Sequence, residues 1–208
     1  MNRSVDFFDA QFERQIRGGD FALNPFEKLA LPYLCGRVLD LGCGLGNLAI
    51  EAARRGCHLL ALDASVNGID HIRNIAGAEN LSVEAEVADL ASYRITENFD
   101  VIVSIGLLMF MESSQAHRLL NEIRSHVRPG GLAIVNVLIE GTTYLDMFEP
   151  GRCYLFGENE LADRFAGWKL LESKYDSFVA PGSTVKRFAT VVARKTLGPI
   201  IHPSSASS

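Results

Sequence analysis

Short apolar runs alternate with helical patterns from residue 37 to residue 140, and this alternation limits the fold more than any other feature of the chain. The apolar runs are typical of strands and cover residues 37–41, 58–63, 81–90, 99–106 and 132–140. Helical patterns separate them at 45–56, 65–77 and 113–131, and the last is ended by Pro129 and two glycines. Because strands that are apolar on both faces belong to parallel sheets covered by helices, the pattern predicts a doubly wound α/β fold.

The pattern changes after residue 140. Residues 141–160 are typical of a loop rich in Tyr, Phe and Met, and a short helix is predicted at 159–167. Strands near 168–177 and 184–195, joined by a tight turn at Pro181 and Gly182, predict an antiparallel pair at the sheet edge. We therefore expect one domain over residues 1–196, built on a mostly parallel seven-stranded sheet with helices on both faces, and a disordered tail at 197–208.

Composition and charge exclude several classes of function. The chain has 208 residues and a formal net charge of -5, and its basic residues are scattered, so we expect no nucleic-acid partner. No apolar run approaches the ~18 residues that span a bilayer, so we expect no membrane association. The four cysteines form no C-x-x-C pair and have no metal-ligand spacing, so we expect free thiols, no bound metal and a cytoplasmic location.

The loop after the first strand, RVLDLGCGLGN at 37–47, carries Gly42, Gly44 and Gly46. A phosphate-binding P-loop needs G-x-x-x-x-G-K-[ST], and neither Lys nor Ser/Thr follows Gly46. A dinucleotide site needs G-x-G-x-x-G, and Asn47 occupies the position of its third glycine. The loop therefore predicts close approach of the backbone to a ligand other than these phosphates.

Three acids follow three successive strands. Asp40, just before the glycines, would repel a pyrophosphate but suits a ligand with an ammonium and a sulfonium group. Asp63 ends the second strand, where an acid binds ribose hydroxyls in nucleoside-binding sheets. Asp89, after the third strand, is placed to accept a hydrogen bond from an adenine amino group, with Leu90 against the ring. The three together predict an S-adenosylmethionine site, although each acid alone also fits a turn cap.

The predicted cofactor-binding residues are Asp40, Gly42, Cys43, Gly44, Asn47, Asp63, Ala64, Asp89, Leu90, Ser104, Ile105 and Gly106. This ordered set, followed by FDVIVSIGLLMF at 99–110, resembles the class I S-adenosylmethionine-dependent methyltransferases over about residues 20 to 195. The resemblance implies their Rossmann-like fold, S-adenosylmethionine as methyl donor and S-adenosylhomocysteine as product.

Methyl transfer depends mainly on proximity and alignment, which contribute up to ~7–11 kcal/mol in well-oriented systems. A general base is needed only when the nucleophile must lose a proton, so a chain without an obvious His-Asp or Lys-Asp pair still fits an enzyme with an anionic or soft nucleophile. Residues 105–112 and 142–156 are predicted to build the acceptor pocket. Its candidate residues are Met109, Phe110, Tyr144, Phe148 and Tyr154, with Arg152 and Arg187 as candidates for holding an oxyanion. Core packing and solvated surface charges are the competing interpretations.

Several shorter motifs resemble the tellurite-resistance methyltransferase family. They are LLMFME at 107–112, RPGG at 128–131, F-x-E-x-E-L at 156–161, GW at 167–168 and RFATVVARK at 187–195. The resemblance implies methylation of tellurite, selenite or related soft nucleophiles. The segment YDSFVAPGSTVK at 175–186 lacks the His-Arg pair and the further Arg of that family, and only Arg187 matches. A thiol, hydroxyl or carboxyl group of a small molecule is therefore the alternative acceptor.

Two other functions compete with a methyltransferase. The alternation of strands and helices also fits a nicotinamide-dependent oxidoreductase, which Asn47 and Asp40 oppose. A cofactor-binding module without catalysis is the second, and the aromatic segment at 142–156 opposes it. Residues 1–25 carry Phe7, Phe8 and Phe12 at helical spacing, which fits either a cap helix over the cofactor or a helix packed on the core. The sequence leaves the oligomeric state open.

Overall fold

A computed structural model describes residues 3–149 and 153–197. Among these residues the strands are β1 (Arg37–Leu41), β2 (His58–Asp63), β3 (Val83–Val87), β4 (Phe99–Ile105), β5 (Val127–Leu138), β6 (Lys169–Ala180) and β7 (Thr184–Arg194). The helices are α1 (Arg3–Gly18), α2 (Pro25–Ala30), α3 (Asn47–Arg54), α4 (Val66–Glu79), α5 (Ser113–His126) and α6 (Glu160–Arg164). Residues 198–208, which contain nearly all of the predicted tail, lie outside the described residues.

All seven strands join one sheet in the order β3-β2-β1-β4-β5-β7-β6. The first five strands pair in parallel, and β7 runs antiparallel to both β5 and β6. The predicted doubly wound sheet with an antiparallel pair at its C-terminal edge is confirmed. The strand order reverses between β1 and β4, and ligands of open α/β sheets bind beyond the carboxyl ends of the strands at such a point.

The two faces of the sheet carry separate cores. Leu39, Leu41 and Ile102 pack on one face against α5, with Phe156 and Phe165 completing that cluster. The alternate positions of the same strands face α3 and α4 on the other side and build the second core, which includes Val38, Val101, Val103, Ile134 and Val192. Because side chains alternate along a strand, the parity of a position, odd or even, decides on which face of the sheet its side chain packs. This parity also decides which residues reach the site described below.

The boundary between α5 and β5 differs from the prediction. The helix ends at His126, and Val127 already has the extended ψ of 129°. Arg128 precedes Pro129, and a residue before proline is disfavoured in the helical region, so the chain leaves the helix earlier than the glycines would require. Pairing with β4 then shifts from Phe99↔Val127 to Val101↔Leu132, which accommodates the intervening residues as an irregularity in the ladder.

Helix α2 was not among the predicted elements. Its N-cap is Asn24, whose side chain accepts from the backbone N–H of Phe26 and Glu27, while the Glu27 carboxylate accepts from the Asn24 backbone N–H. The sequence N-P-F-E carries this signal, because Asn at the cap, Pro at the first position and Glu at the third form a capping box. The helix brings Glu27 to the carboxyl ends of β1 and β4.

Gly46 is a glycine whose replacement we expect to damage the fold. Its φ is +72°, and a Cβ there would lie 2.4 Å from Cγ1 of Ile72 in α4. Gly46→Ala should lower the free energy of unfolding by about 2–4 kcal/mol through backbone strain and overpacking. Urea denaturation measures the change.

The matched control is Gly77→Ala in the same helix as Ile72. A Cβ at Gly77 meets nothing within 4 Å. This substitution should be neutral or stabilise the protein by up to about 1 kcal/mol, since alanine has the higher helix propensity. Equal stability losses in the two variants would contradict the close packing of the glycine loop on α4.

Candidate functional site

The glycine loop is fixed by backbone hydrogen bonds to β2. The N–H groups of Gly42 and Cys43 donate to the carbonyl of Leu62 at 2.8 and 3.1 Å. Gly42, Gly44 and Gly46 all have positive φ, a conformation that glycine adopts without the steric cost of a Cβ. A Cβ on Gly44 would lie 3.1 Å from the ring of Phe12 in α1, so the N-terminal helix packs closely against the loop.

Asp63 joins the glycine loop to the start of α4. Its Oδ2 accepts from the backbone N–H of Gly44 at 2.9 Å, and its Oδ1 accepts from the N–H of Ser65 at 2.8 Å. Burial raises the pKa of this carboxyl, while the backbone donors act in the opposite direction. Ser65 is the N-cap of α4, as the sequence indicates, and its hydroxyl also bonds the carboxylate of Asp9 in α1. The second strand, the loop and two helices therefore meet around Asp63 and Ser65.

Asp40 is a buried carboxylate in need of a partner. Its exposed fraction is 5%, and no donor among the described residues forms a hydrogen bond with it. Burial, followed by the nearby Glu27 and Asp63 carboxylates, raises its pKa to about 8. Burial likewise raises the pKa of Glu27, although the Asn24 N–H donates to that carboxylate and acts in the opposite direction. These carboxyl groups create a strong local preference for a cation.

The carboxyl ends of the strands open into a cavity of about 620 Å³. Eleven of the twelve predicted cofactor-binding residues line it: Asp40, Gly42, Cys43, Gly44, Asn47, Asp63, Ala64, Asp89, Leu90, Ile105 and Gly106. Phe7, Phe8 and Phe12 of α1 also line the cavity, so this helix covers it and does not merely pack on the core. Burial raises the pKa of the Cys43 thiol well above its usual value, so this cysteine is a neutral wall of the cavity.

Ser104 is the predicted cofactor residue that does not line the cavity. It is fully buried and its hydroxyl has no partner among the described residues. Ile105 follows it in β4 and does line the cavity. Because adjacent strand residues point to opposite faces, the two cannot both reach the same side of the sheet. Ser104 therefore does not line this cavity, and its part in cofactor binding stays a prediction.

Asp89 and Leu90 stand at the rim beyond β3. The Asp89 carboxylate accepts from the backbone N–H of Ala91 at 3.1 Å and from the Ser92 hydroxyl at 2.8 Å, so it caps a local turn. Each carboxylate oxygen has a second lone pair, and the turn therefore leaves Asp89 able to accept from a ligand. Leu90 is buried beside it and provides an apolar surface.

The predicted acceptor residues divide into two groups. Met109, Phe110 and Tyr144 line the cavity. Phe148 lies behind Phe110, with 4.7 Å between ring centroids, and does not line it. The Tyr154 hydroxyl is used elsewhere, because it donates to Glu160 at 2.8 Å and lies 2.9 Å from Nε2 of His117.

The two predicted arginines also lie away from the described cavity lining. Arg187 donates to the carbonyl of Glu140 at 3.0 Å and lies 3.6 Å from the Glu158 carboxylate, on the opposite face of β7 from its neighbours Lys186 and Phe188. Those two neighbours do line the cavity. Arg152 lies outside the described residues.

Sequence reasoning missed several polar residues that line the cavity, among them Glu27, Asn136 and Lys186. The capping box signals the helix that carries Glu27. Asn136 interrupts an apolar strand pattern, which was a readable signal for a polar site. Lys186 and Arg187 are adjacent, and only the pairing register of β7 decides which of the two faces the cavity.

Similar proteins place this chain among the S-adenosylmethionine-dependent methyltransferases. Within that class the chain belongs to the TehB family, because the sequence model of that family, described as "Tellurite resistance protein TehB", matches residues 25–180. A probable S-adenosyl-L-methionine-dependent methyltransferase TehB of Haemophilus influenzae is 28% identical over 200 residues, which cover 93% of this chain and 67% of that protein.

Solved structures agree with this fold. The crystal structure of TehB from Haemophilus influenzae has a TM-score of 0.74 at 24% identity and covers 88% of this chain and 65% of its own. The chain thus spans about two thirds of the length of the Haemophilus proteins. A Burkholderia thailandensis 1,6-didemethyltoxoflavin-N1-methyltransferase, solved with bound 1,6-didemethyltoxoflavin and S-adenosylhomocysteine, has a TM-score of 0.67 at 20% identity, covering 93% of this chain and 87% of its own. Within residues 3–149 and 153–197, no helix is long and apolar enough to cross a membrane.

The raised pKa of Asp40 predicts how the stability of the ligand-free protein depends on pH. The folded state keeps a proton up to about pH 8 that the unfolded state loses near pH 4. The free energy of unfolding should therefore fall as the pH rises through this interval. Asp40→Asn removes the ionisable group and should flatten the dependence, with Glu27 and Asp63 leaving a smaller residual slope of the same sign. Thermal melting of both proteins between about pH 5 and pH 9 measures this difference.

Asp163→Asn is the control for this experiment. Asp163 is an exposed acid in α6, away from the cavity, and its replacement should leave the pH profile of the wild type unchanged. Parallel profiles for the wild type and Asp40→Asn would show that Asp40 is already ionised in the folded protein, against the prediction.

Proposed function

We propose that this chain binds S-adenosylmethionine in the cavity beyond β1, β2 and β4 and transfers its methyl group to a small-molecule acceptor. The observation that carries the proposal is the Asp40 carboxylate, which is buried, lines the cavity and has no hydrogen-bond donor among the described residues. A buried carboxylate is costly without a partner, and a cationic ligand provides one. Phosphate ligands such as a dinucleotide would add negative charge at this point and are disfavoured.

The residues present fit the amino-acid and sulfonium end of this cofactor. Asp40, once a cationic ligand displaces its proton, and Glu27 would supply negative charge to the ammonium and sulfonium groups, and the backbone at Gly42 and Gly44 leaves room for close approach. Asp63 would hold the ribose hydroxyls, since each of its oxygens keeps a free lone pair. Asp89 would accept from the adenine amino group, with Leu90 against the ring.

The bound cofactor supplies an already activated methyl group on sulfur, so the chain itself contributes binding, alignment and exclusion of water. The aromatic rings of α1 cover the cavity, and Phe8 packs edge-on against Phe110 with 5.3 Å between centroids. No histidine is among the described residues that line the cavity. This arrangement favours a nucleophile that needs no general base, such as an anion or a soft atom.

A tellurite or selenite oxyanion is one acceptor consistent with membership of the TehB family, and a hydroxyl or carboxyl group of a small metabolite is the alternative. Nucleic acid is disfavoured as a substrate because the net charge is -5 and the cavity wall is acidic and aromatic. The four free cysteines fit the cytoplasm, where thiols stay reduced, as the place of this activity.

Cofactor binding is tested directly by calorimetry with S-adenosylhomocysteine. Asp63→Ala should weaken binding by about tenfold or more, because it removes a charged acceptor of two ribose hydrogen bonds. Glu84→Ala, an exposed acid on the neighbouring strand β3, is the control and should bind as the wild type does. If the wild type binds NADH and not S-adenosylhomocysteine, the proposal is wrong.

The reaction is tested with methyl-labelled S-adenosylmethionine and a panel of selenite, tellurite, thiols, phenols and carboxylates. We expect transfer of label to at least one class of acceptor, with an Asp40→Asn variant losing activity because its cationic partner is held less tightly. A protein that binds S-adenosylhomocysteine but labels none of these acceptors would instead be a cofactor-binding module.

A further inference from the structure

Lys186 is the positively charged residue among the described residues that line the cavity. It makes no hydrogen bond or ion pair with another described side chain, and its Nζ lies 4.5 Å from the centroid of the Tyr144 ring. Burial lowers the pKa of Lys186, and no carboxylate compensates for this effect. A half-buried ammonium group without a counter-ion favours binding of an anion.

Asn136 is a second polar group that lacks a partner in the same cavity. It is fully buried in β5, and its Nδ2 donates to the hydroxyl of Thr190 in β7 at 2.8 Å. Its Oδ1 has no hydrogen-bond partner among the described residues. A buried amide oxygen without a hydrogen-bond donor costs about 1–3 kcal/mol. A ligand that donates a hydrogen bond to this oxygen would therefore bind more tightly.

The pairing register places these two groups apart on one face of the sheet. Asn136 lies opposite Thr190, and Lys186 is four residues before Thr190 on β7, which corresponds to ~13 Å along the strand. The Lys186 ammonium group lies over Tyr144, whose backbone N–H bonds the carbonyl of Val185, so it is held at the far end of the strand from Thr190.

The surface between the two groups is apolar. Phe188 has the same parity as Lys186 and Thr190 and lies between them on β7. Its ring packs against Phe26 of α2 with 4.7 Å between centroids, and both rings line the cavity. A ligand that contacts Lys186 and Asn136 together must therefore have an apolar body that follows Phe188.

We propose that the methyl acceptor is an organic anion whose negative group is bound by Lys186, whose apolar body packs along Phe188, and whose hydrogen-bond donor faces Oδ1 of Asn136. The proposal rests on the proposed function, and it names the substrate class of the same cavity. A bare oxyanion is too small to contact both polar groups. Arg187, the residue that matches the tellurite-resistance family, takes no part because it faces away from the cavity.

Calorimetry with 4-hydroxybenzoate and 4-hydroxybenzamide on the full chain tests the role of Lys186. These probes share a ring and a hydroxyl and differ in charge. The benzoate should bind about tenfold more tightly than the amide, or better, because it gains one charge-assisted hydrogen bond. Lys186→Met should abolish this preference and Lys186→Arg should keep it. Lys169→Met, an exposed lysine at the start of β6, should behave as the wild type.

The role of Asn136 is tested by comparing benzoate with 4-hydroxybenzoate. The hydroxyl should improve binding to the wild type by about tenfold, the gain from one buried hydrogen bond. The double variant Asn136→Leu, Thr190→Val removes both members of the buried pair, so neither polar group is left without its partner and the protein should still fold. This variant should lose the gain in affinity that the hydroxyl provides. Its melting temperature verifies folding. A hydroxyl gain that persists in this variant would overturn the assignment of Asn136.

Selenite and S-adenosylhomocysteine separate the remaining outcomes. If selenite binds in a Lys186-dependent way while neither benzoate binds, the acceptor is a bare oxyanion and the organic-anion proposal is wrong. Equal binding of benzoate and amide, or no effect of Lys186→Met, overturns it as well. S-adenosylhomocysteine should bind equally to the wild type and Lys186→Met. Failure of the wild type to bind S-adenosylhomocysteine would instead refute the proposed function, whatever the benzoates show.

Discussion

The left-handed glycine loop after β1 is the constraint on which the rest of the site depends. Gly46 can approach Ile72 only without a Cβ, and this approach sets α3 against α4. The Asp63 carboxylate then ties the loop to the start of α4 through Gly44 and Ser65. With these contacts in place, the carboxyl ends of β1 and β2 lie at one wall of the cavity, and α1 is able to pack across it through Phe12.

The cavity has two ends with opposite electrostatic character. Asp40, Glu27 and Asp63 make one end acidic, while the other is aromatic and carries the Lys186 ammonium group. Such a separation orients ligands. A cationic group is attracted to the acidic end and an anionic group to the Lys186 end, and each is repelled or left unpaired at the opposite end. Two substrates of opposite charge would thereby be held in fixed order along the sheet.

Much of this architecture follows from sequence, and the failures share a physical cause. The alternation of strands and helices and the glycine loop were predictable because strand periodicity and loop chemistry are local. Ser104 and Ile105, or Lys186 and Arg187, cannot be told apart locally, since the register of distant strands decides which of two neighbours faces the cavity. In contrast, Pro129 indicates the early end of α5, and Asn24 and Glu27 indicate the capping box of α2. These two features could have been predicted from the sequence.

The buried acid at the end of β1 has a further consequence for ligand binding. With a pKa of about 8, Asp40 carries a proton at neutral pH in the ligand-free protein. An ammonium group pairs with the ionised form, so uptake of a cationic ligand expels this proton into solution. The heat of binding then includes the ionisation heat of the buffer, and the apparent affinity increases with pH until the carboxyl is ionised before the ligand arrives. Proton release is thus a signature of occupancy that does not depend on the identity of the methyl acceptor.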